Sequence, residues 1–224
     1  MQAIVETLFD AVYLATVVIL GIVMILKSKG RKQYRLFGIM AVVLGLGDSF
    51  HLVPRAYALC TTGLENFTFP LGLGKLITSV TMTVFYVLLY YVWRARYHIK
   101  GNNGITAAVY LLSALRIVLC LMPQNQWFDA APPLRWGIYR NIPFALLGLL
   151  VIVLFYQWAR SQKDTPFRWL WLTIVLSFGF YIPVVLWADT IPMIGMLMIP
   201  KTCAYVWTVL IGYQAMAQEN RKNI

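Results

Sequence analysis

Seven stretches of this chain are each apolar over roughly the 17 to 25 residues that a helix needs to cross the hydrocarbon of a bilayer, and this limits the fold more than any other feature. They fall at about 4–26, 36–54, 69–92, 104–123, 138–158, 169–187 and 192–216. Without water at that depth, every backbone N–H and C=O must bond inside the protein, which leaves a helical bundle or a closed barrel. The runs are continuous and end in charge and turn signals, unlike the alternating segments of about ten residues that build an outer-membrane barrel. Only 12% of the residues are charged and 60% are hydrophobic, whereas a soluble domain carries about a quarter charged residues. The expectation is an all-α polytopic membrane protein, a seven-transmembrane-helix bundle forming a single domain over 1–224. No repeat or low-complexity tract interrupts it, and no polar connection is long enough to hold a second domain. The opening "MQAIVETLFDAVYLATVVILGIVMILKSK" lacks a basic leader and carries Glu6 and Asp10 ahead of its apolar core, so it reads as a retained first span.

A net charge of +11 would suggest nucleic acid in a soluble protein, but its distribution points to orientation instead. The connections after spans one, three and five, with the tail, hold 13 of the 19 basic residues against only Asp164 and Glu219. The positive-inside rule then predicts an N-terminus outside and a C-terminus in the cytoplasm. Those basic loops would meet anionic lipid headgroups at the cytoplasmic face, and nucleic acid is not expected as a partner.

The opposite half is different, because its charges sum to zero. Arg55, Lys75, Arg116, Arg135, Arg140 and Lys201 face Glu6, Asp10, Asp48, Glu65, Asp129 and Asp189. A lone charge at helix depth costs at least ~2.5 to 3.5 kcal/mol on insertion scales, so these groups are expected to be paired, wet or turned inward. In "VLGLGDSFHLVPRAY", Asp48, His51 and Arg55 stand at i, i+3 and i+7, one stripe of a helix, and Pro54 is expected to kink or end the span. Lys75 opens span three, Arg116 sits among apolar residues of span four, and Arg140 and Asn141 enter span five. Tyr181 lies in span six with Asp189 just past its end, while Lys201 follows Pro200 inside span seven.

Plainer roles compete for several of these residues. Arg55, Arg135 and Arg140 near helix ends suit headgroup anchors. Glu6 and Asp10 suit the N-terminal dipole of span one. Glu65 and Asp129 read as solvated loop residues, and His98 as part of a basic loop. Asp48, Arg116 and Lys201 are the sharpest functional candidates, since an intramembrane ionisable group is a functional hypothesis by default. Cys60, Cys120 and Cys203 have no metal-binding spacing, and no cofactor or metal is expected. Together the polar groups predict a wet cavity for an amphiphile, its anionic head against Lys and Arg and its tail against apolar helix faces.

"GLGDSFHLVPR" resembles the small-Leu-Leu-Gly-Asp-x-x-x-Leu-Leu-Pro-Arg signature of bacterial members of the lysoplasmalogenase (YhhN-like) family, through Gly47, Asp48, Leu52, Pro54 and Arg55. A looser similarity runs on through the Gly-rich start of span three to "VFY". The late Ser-Asp motif of that family is missing, and the nearest aspartate is Asp189 in "LWADTIP". The resemblance implies an integral protein of the bacterial cytoplasmic membrane that hydrolyses the vinyl-ether bond of a lysoplasmalogen or a related lysophospholipid. Such hydrolysis protonates the alkene carbon and needs a carboxyl group as donor with a second carboxylate nearby. On this reading Asp48 is the general acid, Asp189 the carboxylate that steadies the cation or activates water, and His51 a proton relay. Arg55, Lys75, Arg140 and Lys201 hold the phosphate, Arg116 tunes Asp48, and Asn141 and Tyr181 complete the substrate site.

Two other classes stay open from the residues alone. Seven helices with Lys201 in the last one resemble the layout of retinal-binding proteins. A transporter or flippase of an anionic amphiphile would use the same cations, with Pro143, Pro183, Pro192 and Pro200 supplying broken helices.

Overall fold

The computed structural model describes residues 2–61, 63–188 and 190–222. Seven helices account for nearly all of them: α1 (Gln2–Lys27), α2 (Lys32–Cys60), α3 (Thr68–Arg96), α4 (Asn103–Leu121), α5 (Leu134–Ser161), α6 (Leu170–Trp187) and α7 (Met198–Lys222). Short 3-10 turns at Leu64–Phe67, Pro123–Asn125 and Pro192–Leu197 lead into or out of them. All seven are long and apolar enough to span a membrane. Ile4, Leu26, Leu111 and Leu121 are each more than 60% exposed. Apolar side chains left outward on every such helix are what a hydrocarbon solvent requires. The chain is therefore an integral membrane protein by the length and composition of its helices.

Consecutive helices pack as neighbours and α1 closes on α7, so the bundle is a ring in which α3 also reaches across to α5. Phe85, Tyr86, Leu89, Tyr90, Val92 and Trp93 of α3 are all at most 1% exposed, which places this helix at the centre. Two contacts bring backbones unusually close. A Cβ at Gly38 of α2 would stand 2.6 Å from the Gly21 carbonyl oxygen of α1. On the other flank of α2, Gly47 lies against Thr81 of α3, whose neighbour Thr78 donates a hydrogen bond to the Gly47 carbonyl at 3.1 Å. Small residues allow this approach, and dispersion between the helices then grows with contact area.

Pro54 does not end α2, which continues to Cys60. A proline inside a helix cannot donate to the carbonyl four residues earlier, here that of Phe50. That carbonyl faces Gly74 of α3, where any side chain would collide with it. The glycine-rich start of α3 thus makes room for the part of α2 that proline disturbs.

The two ends of the bundle differ in how their charges are used. At the basic end, Arg96 of α3 makes two 2.9 Å hydrogen bonds to the carboxylate of Asp164, one of 2.6 Å to Glu219 of α7 and one of 3.2 Å to the Tyr34 hydroxyl of α2. Its guanidinium also stacks on Phe167. Arg31 reaches Glu219 at 3.0 Å, and Asn220 donates to the Lys27 carbonyl. One planar cation with bidentate geometry therefore ties α2, α3, α7 and the connection after α5 together.

Gly38→Leu is expected to force α1 and α2 apart and to destabilise the detergent-solubilised protein by about 1 to 3 kcal/mol, read as a lower melting midpoint. Gly104→Ala, where a Cβ would meet nothing within 4 Å, is expected to leave that midpoint unchanged or raise it slightly.

Candidate functional site

The α1–α2 pair builds one wall of the mixed-charge end. Glu6, Asp10 and Tyr13 follow one another along a single face of α1, and Arg55, His51 and Asp48 run the opposite way along α2. The antiparallel register matches them twice. Arg55 forms an ion pair with Glu6, and two turns further in the Tyr13 hydroxyl donates to Asp48 Oδ2 at 2.6 Å. Tyr13 is 2% and Asp10 9% exposed. Asp10 lies within electrostatic reach of Glu6, Arg55 and Asp48, one helical turn from Glu6 on the same face of α1.

Lys201 closes the site from α7. It sits in the first turn of that helix, after the Pro192–Leu197 turn, where Pro200 is tolerated because the first N–H groups have no partner within the helix. The ammonium is 8% exposed and lies 5.0 Å from the Tyr181 ring centroid and 5.2 Å from that of Tyr205. Asp48 is within its electrostatic reach. Two aromatic faces thus flank a desolvated cation, with Asp48 beyond ion-pair distance, and in such a setting cation–π attraction reaches ~2 kcal/mol or more.

His51 is half-buried on the same stripe as Asp48, and its Nδ1 is enclosed with no hydrogen-bond partner among the described residues. The charges of Lys75, Arg55 and Lys201 all act on it. Lys75 therefore belongs to the same end.

Beyond Lys201 the polar groups continue as a second cluster. The Tyr181 hydroxyl donates to Asn141 Oδ1 at 3.2 Å, and Arg116 donates to the same oxygen at 2.9 Å. Arg116 is 2% exposed, bonds to the Arg140 carbonyl at 3.1 Å and lies 3.7 Å above the Phe144 ring. Its bonds hold α4 to α5, and none of them reaches Asp48. Arg140 points the other way, to Asn125 Oδ1 at 2.8 Å and over the Trp127 ring at 4.1 Å. Asn125 in turn caps the end of α4 by donating to the carbonyls of Leu119 and Met122. Arg140 fastens the connection between α4 and α5, and its bonds do not reach Lys201.

The structure thus brings Asp48, His51 and Lys201 together, with Tyr181 and Asn141 linking them to Arg116. Arg55 is engaged with Glu6, and Arg140 with the α4–α5 connection. Asp189 lies outside the described residues. Tyr13 and Tyr205 join the site although no sequence feature marks them. Asp10, which on sequence alone suits the helix dipole, lies at i+4 from Glu6 and three residues before Tyr13, on the stripe that meets α2. Among the described residues, no three of His, Cys, Asp and Glu converge to hold a metal ion.

Arg116→Met is expected to cost on the order of 3 kcal/mol, because Asn141 and the carbonyls of Arg140 and Ser79 lose their donor. Arg116→Lys is expected to recover only part of this, since an ammonium cannot serve two acceptors while lying flat on Phe144. Thermal melting of the purified variants measures both.

No protein-family model, no curated protein and no solved structure matches this chain.

Proposed function

We propose that the chain is an integral membrane hydrolase that cleaves the vinyl-ether bond of a lysoplasmalogen or a related anionic lysolipid. The observation that carries this reading is Asp48, held by the Tyr13 hydroxyl at 2.6 Å, with the Lys201 ammonium and the Asp10 carboxyl group both within its electrostatic reach at the same end of the bundle. The resemblance around Gly47, Asp48, Pro54 and Arg55 supports it independently. An N-terminus outside, a C-terminus in the cytoplasm and a place in a bacterial cytoplasmic membrane follow from the basic loops and from that resemblance.

The surroundings favour different roles for the two carboxyl groups. Tyr13 donates to Asp48, and the Lys201 ammonium faces it, so both neighbours suit a carboxylate there. Asp10 has two carboxylates, Glu6 and Asp48, among its neighbours, while Arg55 is bonded to Glu6. Asp10 is thus the better proton donor and Asp48 the better ionised partner, which exchanges the role the sequence assigned to Asp48. The proton passes to the alkenyl carbon, and the resulting oxocarbenium ion is steadied by Asp48. Water adds to the cationic carbon and gives its proton back to the carboxyl pair. The hemiacetal then splits into a fatty aldehyde and the free hydroxyl of the glycerophospho head. Lys201 and Lys75 would meet the phosphate, and His51, whose enclosed Nδ1 has no hydrogen-bond partner among the described residues, would relay protons within the site.

Lys201 also motivates the retinal-type reading, with Asp48 as counter-charge to a Schiff base. The rings of Tyr86, Phe144 and Phe178 pack against one another between 5.1 and 5.6 Å, and Phe144 also contacts Tyr181. Packed rings next to Tyr181 leave little room beside Lys201 for a polyene, and hydrolysis is the preferred reading.

Purified protein given an alkenyl lysophosphatidylethanolamine is expected to release aldehyde. Asp48→Asn and Asp10→Asn are each expected to lower the rate at least ~100-fold, and Tyr13→Phe roughly tenfold. Full activity of Asp48→Asn would refute the assignment. Lipid moved across proteoliposomes unchanged would make the chain a carrier, and a visible band with added retinal that disappears in Lys201→Ala would make it a chromophore protein.

A further inference from the structure

At the basic end, opposite the carboxyl pair, a groove of about 440 Å³ is lined by Arg31, Lys32 and Gln33 from the start of α2 and by Arg94, His98 and Lys100 where α3 turns toward α4. Ala95 and Ile99 supply its apolar part. We propose that this groove seats the phosphate group of an anionic membrane lipid.

Three observations support it. First, four cations converge on one depression whose lining contains no carboxylate. The two described acids of this end, Asp164 and Glu219, are both bonded to Arg96, and Glu219 also to Arg31.

Second, Arg94 is held in place by neutral groups. It donates to Thr106 Oγ1 at 2.9 Å and to the carbonyls of Gly101 at 2.9 Å and Ile99 at 3.3 Å. Its geometry is fixed while no acid among the described residues pairs with it, which is the arrangement that favours binding an anion. Lys32 and Lys100 are exposed at the rim and can close over such a ligand.

Third, the Arg31 side chain is locked by the Ser28 carbonyl and by Glu219, and no side chain caps the start of α2. The N-terminal end of α2, with the positive end of its dipole, therefore lies at the groove that Lys32 and Gln33 line. Ala95 and Ile99 beside the cations suit the glycerol and first methylenes of a lipid better than a fully hydrated ion.

Native mass spectrometry of the full-length protein in detergent, with phosphatidylglycerol and phosphatidylcholine of identical acyl chains, tests this. Phosphatidylglycerol adducts are expected in excess. Lys32→Gln with Lys100→Gln, both at exposed positions, is expected to weaken them roughly tenfold. Lys29→Gln with Lys163→Gln removes the same charge from the same end outside the groove and is expected to leave them unchanged. Equal binding of the two lipids, or equal loss in both double variants, would overturn the proposal, because diffuse charge would then suffice. Displacement of the lipid by millimolar glycerol phosphate would support a phosphate site fed from solution rather than from the bilayer. Aldehyde release in the Lys32→Gln/Lys100→Gln protein is expected to persist, so this site and the carboxyl pair fail separately.

Discussion

Lys201 is a buried ammonium, and its accommodation sets the terms for the end of the bundle around it. Removing such an ion from water costs several kcal/mol even after relaxation, and only nearby opposite charge and oriented electron density can offset that. Both are present, from separate helices: Asp48 on α2, and the rings of Tyr181 on α6 and Tyr205 on α7. Asp48 is in turn fixed by Tyr13 on α1. The charge on α7 therefore depends on the register between α1 and α2, and that register depends on the glycines that let those two backbones touch. A slip of one residue along α1 would turn Tyr13 away from Asp48 and leave the carboxylate without its donor.

Much of this was legible from hydropathy, because the bilayer allows so few alternatives. Seven apolar runs became seven helices, and the polar residues at i, i+3 and i+7 of α2 did share a face. The span boundaries departed where side chains overrode the hydropathy pattern. The second span was expected to stop near residue 54, yet α2 runs to Cys60 because Gly74 accommodates the carbonyl that Pro54 leaves unbonded. The last span was expected from residue 192, yet α7 begins at Met198 after a 3-10 turn, which moves Lys201 from helix interior to first turn.

The composition of the site was harder to read, for a physical reason. Charge is visible in a sequence, but whether it is satisfied locally is not. Arg116 and Lys201 look equivalent as isolated cations in apolar runs. Arg116 proves to be a strut with neutral acceptors and an aromatic face, while Lys201 faces a carboxylate. Tyr13 carries no charge at neutral pH, so nothing in its segment marked it. Only the antiparallel pairing of α1 with α2 gives it a partner.

The two ends of the molecule use the same residue types to opposite effect. At the basic end both described carboxylates are paired with arginine through both oxygens: Asp164 takes two hydrogen bonds from one arginine, and Glu219 is shared by Arg31 and Arg96. Those charge-assisted bonds hold the carboxylates ionised and lock helices together. At the other end Asp48 has one oxygen held by a neutral phenol and its counter-charge at a distance, with Asp10 within electrostatic reach. Among the described residues no hydrogen bond holds its other oxygen, in a buried place where electrostatic interactions are strong. Stability favours the first arrangement, since such pairs resist both protonation and rearrangement. The second leaves a carboxyl group able to meet a proton or a cation, which is why the proposed chemistry is placed at Asp48 and Asp10 rather than at the better-bonded acids of the basic end.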